Sequence, residues 1–400
     1  MNPVAVTGLG VVAPHGDDLG SLFDALLRGD SALAPVFPEL PKPAVAARAA
    51  FDESRWFTKL QLAGVDRVSQ LAVAAADLAM QDAGSVGEID PERVGVFAGC
   101  GMGGAAALEA AYRGGGRVPP LTIPAFMPNA PASHVAMRQG VQGPVLTYSV
   151  ACASSSVAIA EAAKAIQRGD IDLAIAGGSE ALVVPGVVLA WQAMQTLASV
   201  KPREEATAVR PFASDRTGFA LGEGAAFLVL ESAERARRRG ARIYAQLAGW
   251  GLSCDATHLT KPDAPGQARA LRQALRQAGL GPRDVGYCNA HGTATRIGDV
   301  VERNALADVW GGDLDHLRVS STKALHGHLL GAAGALEAVV TVLALHRREL
   351  PPNMHAATLD PACSLNLVAE GDASAPGLKA AISNSFAFGG TNSVLLFTRS

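Results

Sequence analysis

Cys152 stands in the run Leu146-Thr147-Tyr148-Ser149-Val150-Ala151-Cys152-Ala153-Ser154-Ser155-Ser156. β-favouring residues lead into the thiol and an Ala-rich segment leads away, which reads as strand, tight turn and buried helix. A thiol at a helix N-terminus meets unpaired N–H groups and the positive dipole end, which favour thiolate over thiol. Such a cysteine is a candidate nucleophile. Three further segments place polar and glycine residues just beyond apolar strand-like runs, where ligands bind in α/β sheets. They are Asn289-Ala290-His291-Gly292-Thr293-Ala294-Thr295, Ser320-Ser321-Thr322-Lys323-Ala324-Leu325-His326-Gly327-His328, and Asn384-Ser385-Phe386-Ala387-Phe388-Gly389-Gly390-Thr391-Asn392. Taken singly, each histidine is readable as a structural residue. Jointly the segments supply a thiol, two imidazoles, a lysine and a glycine-rich turn.

Those groups need a scaffold. Strand-like and helical runs alternate along the whole chain, as expected for an α/β fold with largely parallel sheets. Strands are predicted over residues 94–98, 145–148, 173–176 and 226–230, then 244–249, 285–289, 318–320, 380–383 and 393–397. Helices are predicted over 66–83, 155–168 and 233–239, then 266–278, 299–310 and 332–347. The two halves, 1–240 and 241–400, share a rhythm. No low-complexity linker parts them, so they are expected to pack as one body.

Hydrophobic residues make up 49% of the chain and charged ones 18%, so a large core and a subunit interface are both expected. A formal charge of −3 without a long basic stripe argues against nucleic acid as a partner. The apolar stretch 181–191 is broken by Pro185 and Gly186 and is too short to span a bilayer, so no membrane partner is expected. The strand-like start at residues 4–10 predicts no signal peptide. Five cysteines form no CxxC pair, which fits a reducing, cytoplasmic setting. Cys100, Cys254, Cys288 and Cys363 read as buried small hydrophobes. Gly99-Cys100-Gly101-Met102-Gly103-Gly104 matches G-x-G-x-x-G, but no acidic residue ends a second strand about 20 residues on, so it reads as a structural turn. His326-Gly327-His328 lacks a third donor at ligand spacing, so no metal site is expected.

Taken in order, these motifs resemble those of the β-ketoacyl-acyl-carrier-protein synthases, the elongating condensing enzymes of fatty acid and type II polyketide synthesis. The resemblance runs from Val6-Thr7-Gly8-Leu9-Gly10 through Ala151-Cys152-Ala153-Ser154 and Leu221-Gly222-Glu223-Gly224 to Phe388-Gly389-Gly390-Thr391-Asn392. It implies an α/β thiolase-like fold, an α-β-α-β-α sandwich of two related halves, usually dimeric. It also implies that Cys152 accepts an acyl group from an acyl carrier protein. A malonyl thioester then loses carbon dioxide, and the resulting enolate attacks the acyl carbon. By the same resemblance His291 and His328 hold the charge on the malonyl thioester oxygen. Lys323 keeps the imidazoles neutral by like-charge repulsion. The N–H groups of Cys152 and Phe388 form the oxyanion hole, and Phe388 gates the malonyl site. Thr293 and Thr295 follow the phosphopantetheine arm. Asp299 and Glu302 are supporting carboxylates, with Glu302 as partner of Lys323. No added cofactor is implied, since carrier-borne phosphopantetheine delivers the substrates.

The subtype follows from the third catalytic position. Initiating synthases resemble a Cys-His-Asn set, whereas this chain presents His328. Degradative thiolases carry a second cysteine where Phe388-Gly389-Gly390 stands here. Chain-length-factor subunits lack the nucleophile. The elongating Cys-His-His type is therefore expected, as a homodimer or a heterodimer with a chain-length-factor-like subunit. A non-decarboxylating acyltransferase and a non-catalytic scaffold are the alternatives. Ala387, Ser156, His326, Ala213 and Thr217 depart from the family's usual residues. Trp191 and Met194 are candidates to line the acyl pocket. Where relatives carry basic residues this chain has Ala63-Gly64-Val65, which leaves Arg55, Lys59 or Arg67 to meet an acidic carrier.

Overall fold

The structure is a computed structural model that describes residues 3–399. In chain order its strands are β1 (Val4–Val12), β2 (Ala34–Val36), β3 (Ala44–Ala47), β4 (Val94–Gly99), β5 (Val145–Tyr148), β6 (Leu173–Glu180) and β7 (Leu221–Gly222). They continue with β8 (Gly224–Ser232), β9 (Ala245–Cys254), β10 (Tyr287–Asn289), β11 (Arg318–Ser320), β12 (Asn366–Leu367), β13 (Ala380–Phe386) and β14 (Thr391–Thr398). Eleven of them form one sheet in the order β12-β11-β10-β13-β14-β9-β1-β8-β6-β4-β5.

That order contains the same pattern twice. In the first half β5, β4 and β6 are parallel, while β8 and β1 follow antiparallel. In the second, β11, β10 and β13 are parallel, while β14 and β9 follow antiparallel. The halves join where β1 pairs antiparallel with β9, Val4 opposite Leu247 and Val6 opposite Ala245.

Corresponding helices follow corresponding strands. Helix Ser154–Arg168 follows β5, and helix Ala333–Arg347 follows β11 by way of the Lys323–His328 turn. Both touch strands of both halves, so they form the central layer of the sandwich. The second is buried without interruption from Ala333 to Leu345, as a helix apolar all round must be. The stretch Leu330–Arg347 is long and apolar enough to cross a membrane, but 89% of it is buried inside this protein. Helices Arg67–Asp82 and Ala130–Gln139 cover the outer face of the first half, and Ala264–Ala278 with Gly298–Trp310 cover that of the second. The layers are α-β-α-β-α.

The expected elements are all present, and most extend a few residues beyond their apolar signal. The 173–176 prediction is strand β6 to Glu180, and 380–383 is β13 to Phe386. The β6 extension, Gly177-Gly178-Ser179-Glu180, and the first two residues of the β13 extension, Asn384-Ser385, are polar or glycine residues that the sheet ladder carries on where alternation no longer marks the strand. The halves abut closely because Gly334 has no side chain: a Cβ there would lie 2.8 Å from that of Ser156. Ser155 Oγ accepts the Ala335 N–H at 2.9 Å, linking the two central helices directly.

Candidate active site

Cys152 sits between β5 and its helix, after Ala151 in a left-handed conformation at φ 45° that turns the chain sharply. The turn is tied by Ser154, whose Oγ donates to Ala151 O at 2.7 Å and accepts Val150 N–H at 2.8 Å. His328 is held by the Leu221-Gly222 motif: its N–H donates to Ala220 O at 2.7 Å, and its carbonyl accepts Gly222 N–H at 2.9 Å. His291 follows β10, where the Glu302 carboxylate accepts the N–H groups of His291 at 2.9 Å and Gly292 at 2.8 Å.

These local devices bring three distant groups together. The ligating atoms of Cys152, His291 and His328 all lie within 4.8 Å of one another, with His328 Nε2 at 3.1 Å from Cys152 Sγ. They form the floor of a cavity of about 520 Å³ that Thr293, Thr295, Trp191, Met194, Phe388 and Glu302 also line. His326 points elsewhere, to Thr322 Oγ1 and Gly327 O, and burial lowers its pKa to about 3. The donors that join His328 thus come from 37 and 176 residues away, which ligand spacing within one motif cannot reveal.

The tautomer of His328 follows from its neighbours. Leu330 N–H donates to Nδ1 at 3.3 Å, so the neutral ring carries its proton on Nε2, facing the sulfur. Burial, then the charge of Lys323, holds His328 and His291 well below the usual imidazole range. Both are neutral donors at pH 7. The thiol departs from expectation. Burial pushes Cys152 up to about 12, against the opposite pull of Lys323 and of the Phe388 N–H. The helix terminus does not outweigh desolvation, so burial favours the thiol over the thiolate.

Lys323 also departs from expectation. Its ammonium is fully buried behind the cavity and forms its ion pair with Glu337, not Glu302. Burial raises the Glu337 carboxyl despite that pull. Glu302 instead accepts the His291 loop and Asn384 Nδ2 at 3.0 Å. Asp299 lies outside the cavity lining, accepting Phe212 N–H at 2.7 Å beside Arg216. Phe388 stacks on Trp191 with centroids 6.0 Å apart, Trp191 meets Phe219 edge-on at 5.4 Å, and Phe219 meets His328 at 5.2 Å. An aromatic ladder therefore runs from Phe388 to the His328 imidazole.

Sequence reasoning passed over Glu337, Glu180, Phe219 and Arg216. Glu337 carried a readable signal: it is the one charged residue in the helix run before His346-Arg347, and a carboxylate in apolar surroundings requires a cation. Glu180, at the end of β6, accepts N–H groups of Gly101 at 2.8 Å and Gly331 at 2.9 Å, which ties the two halves together beneath the site. Cys254 is exposed, contrary to expectation, because β9 ends there at the surface.

The family model for the β-ketoacyl synthase N-terminal domain matches residues 1–236, and that for the C-terminal domain matches 244–357. The chain belongs to the β-ketoacyl synthase family. Among curated relatives it is similar to 3-oxoacyl-[acyl-carrier-protein] synthase 2 of Staphylococcus aureus (strain COL), 37% identical over 99% of this chain and 98% of that protein. It is also similar to nodulation protein E of Rhizobium sp. (strain N33), 41% identical over 98% of each. Among solved structures, a type II PKS ketosynthase in complex with its acyl-carrier protein and bound to the hexaketide matches with TM-score 0.91 and 30% identity, covering 100% of both chains. The ishigamide ketosynthase/chain length factor matches with TM-score 0.91 and 31% identity over 100% of this chain and 99% of that one. The synthase fold and the elongating condensation reaction expected from the motifs agree with these relatives.

Proposed function

We propose that this β-ketoacyl synthase works through Cys152, His291 and His328, with Lys323 acting from behind the cavity. The Cys152 sulfur attacks the carbonyl of a carrier-borne acyl thioester. An S–C bond forms, and the carrier thiol leaves with the proton. His328 Nε2–H stabilises the sulfur as it becomes anionic, and the N–H groups of Cys152 and Phe388 hold the carbonyl oxygen. The malonyl carrier then enters. Its C–carboxylate bond breaks, carbon dioxide departs, and the electron pair moves into an enolate. The neutral N–H donors of His291 and His328 receive that oxygen's charge. The enolate carbon attacks the acyl carbon, the C–S bond to Cys152 breaks, and the released thiolate takes a proton from water to regain the thiol. The product is a β-ketoacyl carrier extended by two carbons, and the family's chemistry requires no added cofactor.

The carrying observation is the meeting of one thiol and two neutral imidazoles within 4.8 Å on the floor of an open cavity. An intact thiol beside both imidazoles disfavours a non-catalytic scaffold, and two donors suited to an enolate disfavour a non-decarboxylating acyltransferase. Asp299 and Glu302 position the His291 loop, Thr293 and Thr295 receive the pantetheine arm, and Trp191 with Met194 bounds the acyl chain. We divide the chain near residue 240 into a half that brings the thiol and a half that brings the histidines. The acyl carrier protein is its partner. The edge of β5, with Val145 and Leu146 exposed, is the surface for pairing with a second copy or a chain-length-factor-like subunit. Five free cysteines support work in the cytoplasm.

The test is mass spectrometry of carrier thioesters after mixing enzyme, acyl carriers and malonyl carrier. A two-carbon β-keto extension with release of carbon dioxide is expected. Acylated Cys152 without extension, even with a chain-length-factor-like subunit added, would sink the condensation assignment.

A further inference from the structure

His328 Nε2 and Cys152 Sγ stand 3.1 Å apart, yet they belong to turns of different halves of the fold. Glu180, fully buried at the end of β6, braces both turns without lining the cavity. Its Oε2 accepts the N–H groups of Gly101 at 2.8 Å and Gly331 at 2.9 Å, and its Oε1 accepts that of Met102 at 3.3 Å. The Cys100 thiol lies at 3.9 Å, and no ion pair reaches the carboxyl among the described residues. Burying a carboxyl without a counter-charge is unfavourable. What Glu180 contributes here is therefore a pair of acceptor oxygens.

The two grips lead to the two reacting groups. On one side, Cys100 N–H donates to Tyr148 O at 3.1 Å and Ser149 Oγ donates to Gly101 O at 3.2 Å, just ahead of the Cys152 turn. On the other, Gly331 follows Leu330, whose N–H donates to His328 Nδ1 at 3.3 Å. Leu330 is left-handed at φ 46°, a conformation that side-chain-bearing residues adopt rarely. Both glycines are needed for so close an approach: a Cβ on either would lie 2.5 Å from Glu180 Oε2.

We propose that Glu180 is a positioning residue for the reaction: by clamping Gly331 to Gly101 it keeps Leu330 N–H on His328 Nδ1, and so keeps His328 Nε2–H aimed at the sulfur and the substrate oxygen. This rests on the condensation reading, which uses that N–H as a donor in both acyl transfer and decarboxylation. Without the clamp Leu330 can leave its strained conformation. Loss of its N–H from Nδ1 frees the ring to take the other tautomer, which turns a lone pair toward the oxyanion in place of a donor.

Magic-angle-spinning NMR of the full-length enzyme labelled with ¹⁵N-histidine reads the tautomer without turnover, the His328 signals being those that vanish in His328→Ala. The wild type should show a bare Nδ1 and a protonated Nε2. Glu180→Leu, which fills the space with no acceptor, should gain an Nδ1–H population. Its kcat for condensation should fall about 10²-fold, with KM for malonyl carrier within about twofold of wild type. Glu180→Asp, one methylene too short to reach both glycines, should shift the same way and decides the matter where the leucine variant does not fold. Glu180→Gln keeps an oxygen of the right reach and should keep both the tautomer and most of the turnover. A folded leucine or aspartate variant that retains the wild-type tautomer or the wild-type kcat overturns the proposal, as does a loss confined to KM. So does a glutamine variant as impaired as the leucine one. Failure of the condensation reading looks different: the tautomer responds as described, but the wild type releases no carbon dioxide.

Discussion

The two central helices occupy equivalent places in the two halves, yet they carry opposite kinds of chemistry. Helix Ser154–Arg168 presents Cys152 at its start, and its buried first turn is neutral. Ser154, Ser155 and Ser156 satisfy Ala151 O, Ala335 N and Ser393 Oγ respectively. Helix Ala333–Arg347 is preceded by His328 and contains Glu337, which neutralises Lys323 in a fully buried ion pair. One half keeps its nucleophile as an uncharged, buried thiol. The other keeps a charge permanently buried, and burial together with that charge holds two imidazoles neutral. A single backbone device, strand to turn to buried helix, thus serves both a reactive group and the electrostatic field that tunes it.

Substitution can separate those roles. Cys152→Ala should abolish acyl loading, read by intact mass of the enzyme, while malonyl decarboxylation persists. Retained loading would break the comparison at its first term. His328→Ala should lower condensation by about 10²–10³-fold, the cost of one oxyanion donor. Its malonyl decarboxylation should fall with it, in contrast to Cys152→Ala. Glu337→Gln leaves Lys323 buried without a counter-charge and should cost about 3–5 kcal/mol in urea denaturation. Lys323→Met/Glu337→Leu should recover most of that stability but not condensation, and a double variant that condenses normally would remove Lys323 from the mechanism.

A smaller effect concerns Glu180, which burial raises from 4.5 to about 7. Between those values the folded carboxyl holds a proton that the unfolded one has lost. Its contribution to stability is therefore present below pH 4.5 and declines as pH rises toward 7, by about 3 kcal/mol. Denaturation of wild type and Glu180→Gln at pH 5 and 7 should show the wild type losing stability relative to the variant. A constant difference would mean that Glu180 is ionised throughout. The smallest effect is expected from Trp191→Ala. Shortening the Phe388–Trp191–Phe219 ladder should shift product chains by about one two-carbon unit, and an unchanged product profile would exclude Trp191 as the boundary of the acyl pocket.

Much of this protein was legible in local sequence. The strand boundaries 145–148 and 318–320 coincide with β5 and β11, and helix 155–168 differs by one residue from the observed one. Such elements are set by periodicity and turn chemistry over short spans, as is the position of Cys152 before its helix. The motifs around His291, Lys323, His328 and Phe388 were equally visible, because polar and glycine residues interrupt apolar strands there.

What only the tertiary structure decided is which groups meet and in what state. Lys323 takes Glu337 rather than Glu302, and burial pushes the Cys152 thiol up although its helix terminus pulls the other way. Arg55 is tied to Asp17 and Arg67 to Glu223. Each outcome depends on desolvation and on partners brought from distant positions, such as His328 and Cys152, 176 residues apart. Residue type and spacing record which donors and charges a chain carries; only packing determines which of them share a site and how far each lies from water.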